Sequence, residues 1–150
     1  NETFTATRGG GAFLNGASIQ CSKTSDLGKA LCCTEIGTTR DDETVSAIFE
    51  RMRAVATSAR SMRCCGSCAC NLTSVACGRL DAFYEIGFGG CWDVAAASLI
   101  LEEAGGLVLD PAGGPFDVMS RRVLGANNHL ARPLADILAS CPVSKSEPQL

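Results

Sequence analysis

The sequence has little net charge, few aromatic residues and one histidine. Thirteen Lys and Arg residues against 16 Asp and Glu residues give a net charge of −3, which argues against a nucleic-acid-binding protein because such proteins need a basic face. No apolar run approaches the roughly 20 residues that cross a bilayer, so we expect no membrane association. The single histidine, His129, excludes a zinc site with two histidine ligands.

Apolar residues, in contrast, are plentiful. They make up 46% of the 150 residues, which is enough for the packed core of one ordinary domain or of a piece of a larger one. We assign the domain to residues 1–141 and predict a disordered tail over the polar residues 142–150. The chain begins at Asn1 and shows no secretory leader, so we expect a piece or processed product of a longer protein that works in the cytoplasm.

Cysteine is also abundant, with ten residues. We interpret most of them as small buried apolar side chains in a reducing compartment, because the chain has enough aliphatic residues to fold without disulfides. Cys65 and Cys68 have the Cys-x-x-Cys spacing of zinc ligands, but no second pair completes a tetrahedral site. A cysteine-based metal or redox module therefore stays open as the less favoured alternative.

Strand and helix patterns alternate along the chain. The turn signal Asn15-Gly16 predicts an N-terminal β-hairpin over residues 3–22, and apolar residues between positions 45 and 56 are spaced for an amphipathic helix. Strands are predicted at 30–35, 59–64, 82–85, 107–109 and 123–126, and further helices at 66–77, 94–104 and 134–138. This alternation predicts an α/β fold with a mainly parallel sheet and flanking helices. We expect the helix at 94–104, which is apolar on nearly all sides, to be buried between layers.

Three segments lie where a predicted strand ends and a helix begins, which is where sites form in parallel sheets. They are Thr38-Thr39, Gly66-Ser67-Cys68 and the glycine-rich loop from Glu85 to Asp93. Each also has a plain structural interpretation. Asp93 is typical of a helix-start carboxylate, Ser67 of an N-cap, and Glu85 of a solvated strand end.

Several segments resemble the inositol monophosphatase family. The most specific is Cys91-Trp92-Asp93-Val94-Ala95-Ala96-Ala97 followed by Glu103-Ala104-Gly105-Gly106. Matching segments also occur at 9–16 (GGGAFLNG), 33–37 (CTEIG), 81–85 (DAFYE) and 113–122 (GGPFDVMSRR). The resemblance runs in order over about residues 4–140 and corresponds to the C-terminal half of a eukaryotic member of this family.

The resemblance implies a magnesium-dependent phosphomonoesterase with an αβαβα layered sandwich, usually a homodimer and typically inhibited by lithium. It implies hydrolysis of myo-inositol monophosphates to inositol and phosphate. By the same resemblance, Asp93 is the catalytic metal ligand beside the sugar, and Glu85 hydrogen-bonds inositol hydroxyls. The resemblance also implies that the polyol is contacted by Gly66, Ser67 and Cys68. Thr38 occupies a position where the family often has a Ser or Thr on the substrate side of the site.

Two departures from the family pattern affect the expected function. The loop between Glu85 and Asp93 is one residue longer than in animal enzymes, so a related substrate such as L-galactose 1-phosphate stays an alternative. The family's other metal ligands, a glutamate and a D-P-x-D-G-T segment, do not occur in this sequence. We therefore expect the 150 residues alone to bind Mg²⁺ weakly and to be inactive, and a non-catalytic truncated isoform that dimerises with the full enzyme is the alternative.

Overall fold

Two sheets and four helices make up the computed structural model, which describes residues 1–149. The smaller sheet is antiparallel and contains β1 (Phe4–Thr7), β2 (Gly11–Leu14) and β3 (Ala17–Ser18) in that order. Asn15 and Gly16 join β2 to β3 with φ values of 51° and 82°, the left-handed conformation that Asn-Gly adopts in tight hairpin turns. The predicted N-terminal hairpin is confirmed.

The larger sheet carries five strands in the order β5-β4-β6-β8-β7. They are β4 (Leu31–Thr34), β5 (Ser61–Arg63), β6 (Ala82–Ile86), β7 (Gly106–Leu109) and β8 (Arg122–Asn127). Strand β4 pairs in parallel with β5 and β6, and β8 runs antiparallel to β6 and β7. Four of the five strands therefore point in one direction, as predicted.

Four α-helices flank this sheet. They are α1 (Asp42–Ser58), α2 (Cys68–Ala76), α3 (Ala95–Glu103) and α4 (Ala131–Ala139). The Asp41 carboxylate accepts a hydrogen bond from the Thr44 amide and thereby caps α1. Within residues 1–149, no helix combines the length and hydrophobicity that crossing a bilayer requires.

The elements stack in four layers. One core cluster, which includes Leu72, Phe83 and Leu101, lies between the larger sheet and the helices α2 and α3. The smaller sheet packs against the opposite side of this helix layer. A second cluster on the opposite face joins the sheet to α4 and α1. The α/β fold is thus confirmed, with a sheet-helix-sheet-helix succession. Helix α3 is less enclosed than predicted, because Ala95 and Ala96 are exposed.

The C-terminal tail differs from the prediction of disorder. Residues 142–149 pack against α1, where the two terminal guanidinium nitrogens of Arg51, Nη1 and Nη2, each donate to an oxygen of the Glu147 carboxylate at 2.6 Å. The Ser144 and Thr44 hydroxyls lie 2.7 Å apart in the same buried region. The prediction of disorder is wrong for these residues, because their polar side chains are partners of a buried arginine on α1, which composition alone does not show. Residue 150 lies outside the described residues.

Candidate functional site

Three loops meet at one edge of the larger sheet. Because β4, β5 and β6 are parallel neighbours, their carboxyl ends share that edge. The segments that follow these strands are 35–38, 64–68 and 87–93. The structure therefore brings together all three segments that the sequence singled out.

Glu85 is a buried acid at this edge. Its residue is only 6% exposed, and its Oε2 atom has no hydrogen-bond partner among the described residues. Burial raises the pKa of Glu85 to about 7; the Cys68 thiol opposes this rise, whereas Glu35 and Asp93 add to it. The solvated-strand-end interpretation is wrong, and near neutral pH the carboxyl group can either donate or accept a hydrogen bond.

Asp93 lies at the other end of the glycine-rich loop, in a 3-10 turn formed by Cys91–Asp93. Its Oδ2 atom accepts a hydrogen bond from the Gly90 amide at 3.1 Å. The loop passes so close that a Cβ atom added at Gly89 would lie 2.8 Å from the same oxygen. Asp93 therefore acts as a turn cap, as a helix-start carboxylate does, and its charge also raises the pKa of Glu85.

Glu35 organises the loop that precedes α2. Its Oε1 atom accepts hydrogen bonds from the amides of Cys65 and Gly66, both at 2.7 Å, and from Asn71 Nδ2 at 2.9 Å. Sequence reasoning missed this role and treated Glu35 only as part of a family motif. The available signal was an acid directly after a buried strand at the edge where sites form.

The residues at the start of α2 have different environments. Gly66 is exposed, with φ +90° and open space around it. The Ser67 hydroxyl accepts a hydrogen bond from the Cys70 amide at 3.3 Å, so the N-cap interpretation is confirmed. Cys68 is buried against Glu85, and burial, followed by the Glu85 and Asp93 charges, raises the pKa of its thiol.

Thr38 ties two of the loops together. Its amide and its hydroxyl each donate to the Gly87 carbonyl at 3.0 Å. Arg121 Nη2 donates to the same hydroxyl at 3.1 Å, and Arg121 Nε donates to the Phe88 carbonyl. The Thr38 hydroxyl is therefore held by the loop after β6.

The sequence of the chain matches the model of the inositol monophosphatase family over residues 1–142. The chain belongs to the inositol monophosphatase family. It is similar to inositol monophosphatase 2 of Solanum lycopersicum, with 59% identity over 130 residues that cover 87% of this chain and 49% of that protein. Inositol monophosphatase 1 of Homo sapiens is 42% identical over 146 residues, which are 96% of this chain and 52% of the human protein.

A solved structure shares the fold. The inositol monophosphatase from Anabaena superimposes with a TM-score of 0.86 at 32% identity, over 95% of this chain and 56% of that chain. The chain thus spans about half the length of the family members that it matches.

This family member carries ten free cysteines. Three of them, Cys32, Cys33 and Cys68, are buried, and four are partly exposed. The interpretation as buried apolar side chains is wrong for the three exposed cysteines, Cys64, Cys65 and Cys70. Within residues 1–149, no three His, Cys, Asp or Glu side chains are grouped so that they could hold a metal ion. The zinc alternative therefore has no site in the described part of the chain.

The same observation bears on the magnesium that the family resemblance implies. Asp93 offers the hard carboxylate oxygen that Mg²⁺ prefers, but it does not belong to a group of three potential ligands in the described residues. Residues 1–149 therefore do not by themselves make a Mg²⁺ site.

Proposed function

We propose that the complete protein is a Mg²⁺-dependent phosphomonoesterase that hydrolyses myo-inositol monophosphates to inositol and phosphate. The observation that carries this proposal is the buried Glu85 with its unpartnered Oε2, beside Asp93 at the edge where three loops meet. A buried acid with a perturbed pKa beside a second acid is typical of functional sites. Family membership and the names of the relatives support the same activity.

In this proposal the described residues bind and orient the polyol. Glu85 hydrogen-bonds a ring hydroxyl, and its partial protonation near pH 7 lets it act as donor or acceptor. Gly66, Ser67 and Cys68 form the neighbouring wall, which Glu35 fixes through the amides of the loop. Asp93 is one metal ligand, and the remaining ligands come from outside residues 1–149.

The first test concerns the chain by itself. With inositol 1-phosphate and saturating Mg²⁺, we expect no measurable phosphate release, because one carboxylate leaves Mg²⁺ mostly hydrated and weakly held. Robust turnover would contradict the proposal. Co-purification of the chain with an intact subunit, without activity of its own, would instead favour a non-catalytic dimerisation partner.

The second test uses the whole protein that contains this chain. Asp93→Asn should abolish Mg²⁺-dependent hydrolysis, whereas Asp136→Asn, which changes an exposed acid on α4, should leave it unchanged. Undiminished hydrolysis in Asp93→Asn would overturn the assignment. Rates with inositol 1-phosphate and with L-galactose 1-phosphate decide between the two substrates, and we expect inositol 1-phosphate to be preferred.

We also propose that the whole protein is a homodimer in a reducing compartment, the cytoplasm, and that lithium inhibits it. The ten free thiols support a reducing compartment. Analytical ultracentrifugation of the whole protein tests the dimer, for which a monomeric mass is the contradicting result. Phosphate release with increasing lithium tests the inhibition.

A further inference from the structure

Two cysteines, one on a strand and one in the loop after the neighbouring strand, bring their sulfur atoms close together beside the candidate site. Cys33 lies in β4, and Cys65 lies two residues beyond the last residue of β5, its parallel neighbour. Their Sγ atoms are 3.9 Å apart. A disulfide bond has a length of about 2.05 Å, so the two sulfurs need to approach by only about 2 Å to be joined.

The two thiols differ in access to solvent. Cys65 is exposed, whereas Cys33 is completely buried. Burial, reinforced by the neighbouring Cys65, raises the pKa of the Cys33 thiol above its ordinary value. An oxidant in solution therefore meets Cys65 before Cys33, because oxidation follows thiolate character and exposure. Cys33 is placed to react with the product because its sulfur lies 3.9 Å away.

We propose that Cys33 and Cys65 form a redox-active pair that hydrogen peroxide converts into a disulfide. In the first step the Cys65 sulfur attacks one peroxide oxygen; an S–O bond forms, the O–O bond breaks, and one water leaves. In the second step the Cys33 sulfur attacks the Cys65 sulfur; the S–S bond forms, the S–O bond breaks, and a second water carries away the Cys33 proton. The two thiols lose two electrons, which reduce the peroxide to two waters.

The position of Cys65 connects this pair to the loop before α2. The amides of Cys65 and Gly66 both donate to Glu35, and the next residue, Ser67, caps α2. A bond to Cys33 therefore restrains the segment that leads to Cys68 and its contact with Glu85. The formation of the bond itself does not depend on the proposed phosphatase activity.

The experiment is a cross-link map of the 150-residue chain. The reduced protein is treated with hydrogen peroxide, the remaining thiols are alkylated in denaturant, and tryptic peptides are sequenced by fragmentation in a mass spectrometer. Trypsin releases Cys33 within 30–40 and Cys65 within 64–79. We expect these two peptides to be linked with a loss of about 2 Da, and the fragment ions to place the link between Cys33 and Cys65.

Variants provide the controls. Cys64→Ser and Cys70→Ser change exposed neighbours and should leave the link intact. Cys65→Ser should abolish it, and Cys33→Ala should leave Cys65 as a sulfenic acid that dimedone traps. Because the wild-type map requires no substitution, the proposal stays testable if Cys33→Ala fails to fold. A wild-type map in which Cys65 is joined to Cys64, Cys68 or Cys70, or in which Cys33 stays fully alkylated, would overturn it.

Discussion

Replacing Glu85 with Gln should stabilise the protein at alkaline pH and not at acidic pH. The folded structure raises the pKa of this carboxyl group from 4.5 to about 7, mainly by burial. A tenfold change in a protonation equilibrium is worth about 1.4 kcal/mol, so the ionised side chain costs at most roughly 3–4 kcal/mol. Residual access of water to the carboxylate lowers this figure, and we expect roughly 2–3 kcal/mol.

The sign follows from proton binding in the two states. Well below pH 4.5 the carboxyl group is protonated in both the folded and the unfolded chain, so it contributes nothing, and at pH 4.5 its contribution is still small. Between pH 4.5 and about 7 the unfolded chain ionises first, and the free energy of unfolding falls as the pH rises. Above about pH 7 the full cost is present. Glutamine has no charge, so the Glu85→Gln variant escapes this loss.

The assay is urea unfolding of both proteins at pH 4.5 and pH 8, followed by far-UV circular dichroism. Trp92 fluorescence is a poor probe because this side chain is already 76% exposed in the folded protein. Glu50→Gln, which changes an exposed acid on α1, should follow the wild type at both pH values. A stability difference for Glu85→Gln that is the same at both pH values would refute the reasoning.

Two further substitutions test the packing around the site. Glu147→Ala should lower the free energy of unfolding by about 3–5 kcal/mol, because it leaves the buried Arg51 without its carboxylate; an unchanged urea midpoint would contradict this. Gly37→Ala should lower the thermal midpoint more than Gly9→Ala does. Both glycines have positive φ, but a Cβ atom at Gly37 would lie 2.5 Å from the Ile86 carbonyl oxygen, whereas Gly9 has open space. Equal losses in the two alanine variants would show that the carbonyl contact does not matter.

The placement of helices and strands could be predicted where burial is one-sided. Apolar spacing between positions 45 and 56 predicted a helix that the structure bounds at Asp42–Ser58, because the spacing records directly which side faces the core. The order of strands could not be predicted in this way. Strand β8 lies between β6 and β7 and runs against both, which is a long-range pairing that no local pattern records.

The same distinction applies to the site. Glu85 and Asp93 could be singled out because each lies where a strand ends or a helix begins, which is a local property of the sequence. The role of Glu35 depends on amides 30 and 31 residues away, and the burial of Glu147 depends on Arg51, 96 residues away. Partners at such separations are set by the fold. The position of Glu35 directly after β4 could have drawn attention to this residue but not to its amide partners, and no local pattern pointed to the burial of Glu147.

The packing of the C-terminal segment determines how the protein can be handled in the laboratory. Glu147 lies three positions before residue 150, so a purification tag or fluorescent fusion partner joined to residue 150 when these 150 residues are expressed starts close to a buried ion pair. A bulky, rigidly attached partner would compete with α1 for this segment and lower the yield of folded material. A flexible Gly/Ser spacer lets the segment stay in place, and comparing melting temperatures with and without the spacer measures how firmly it is held.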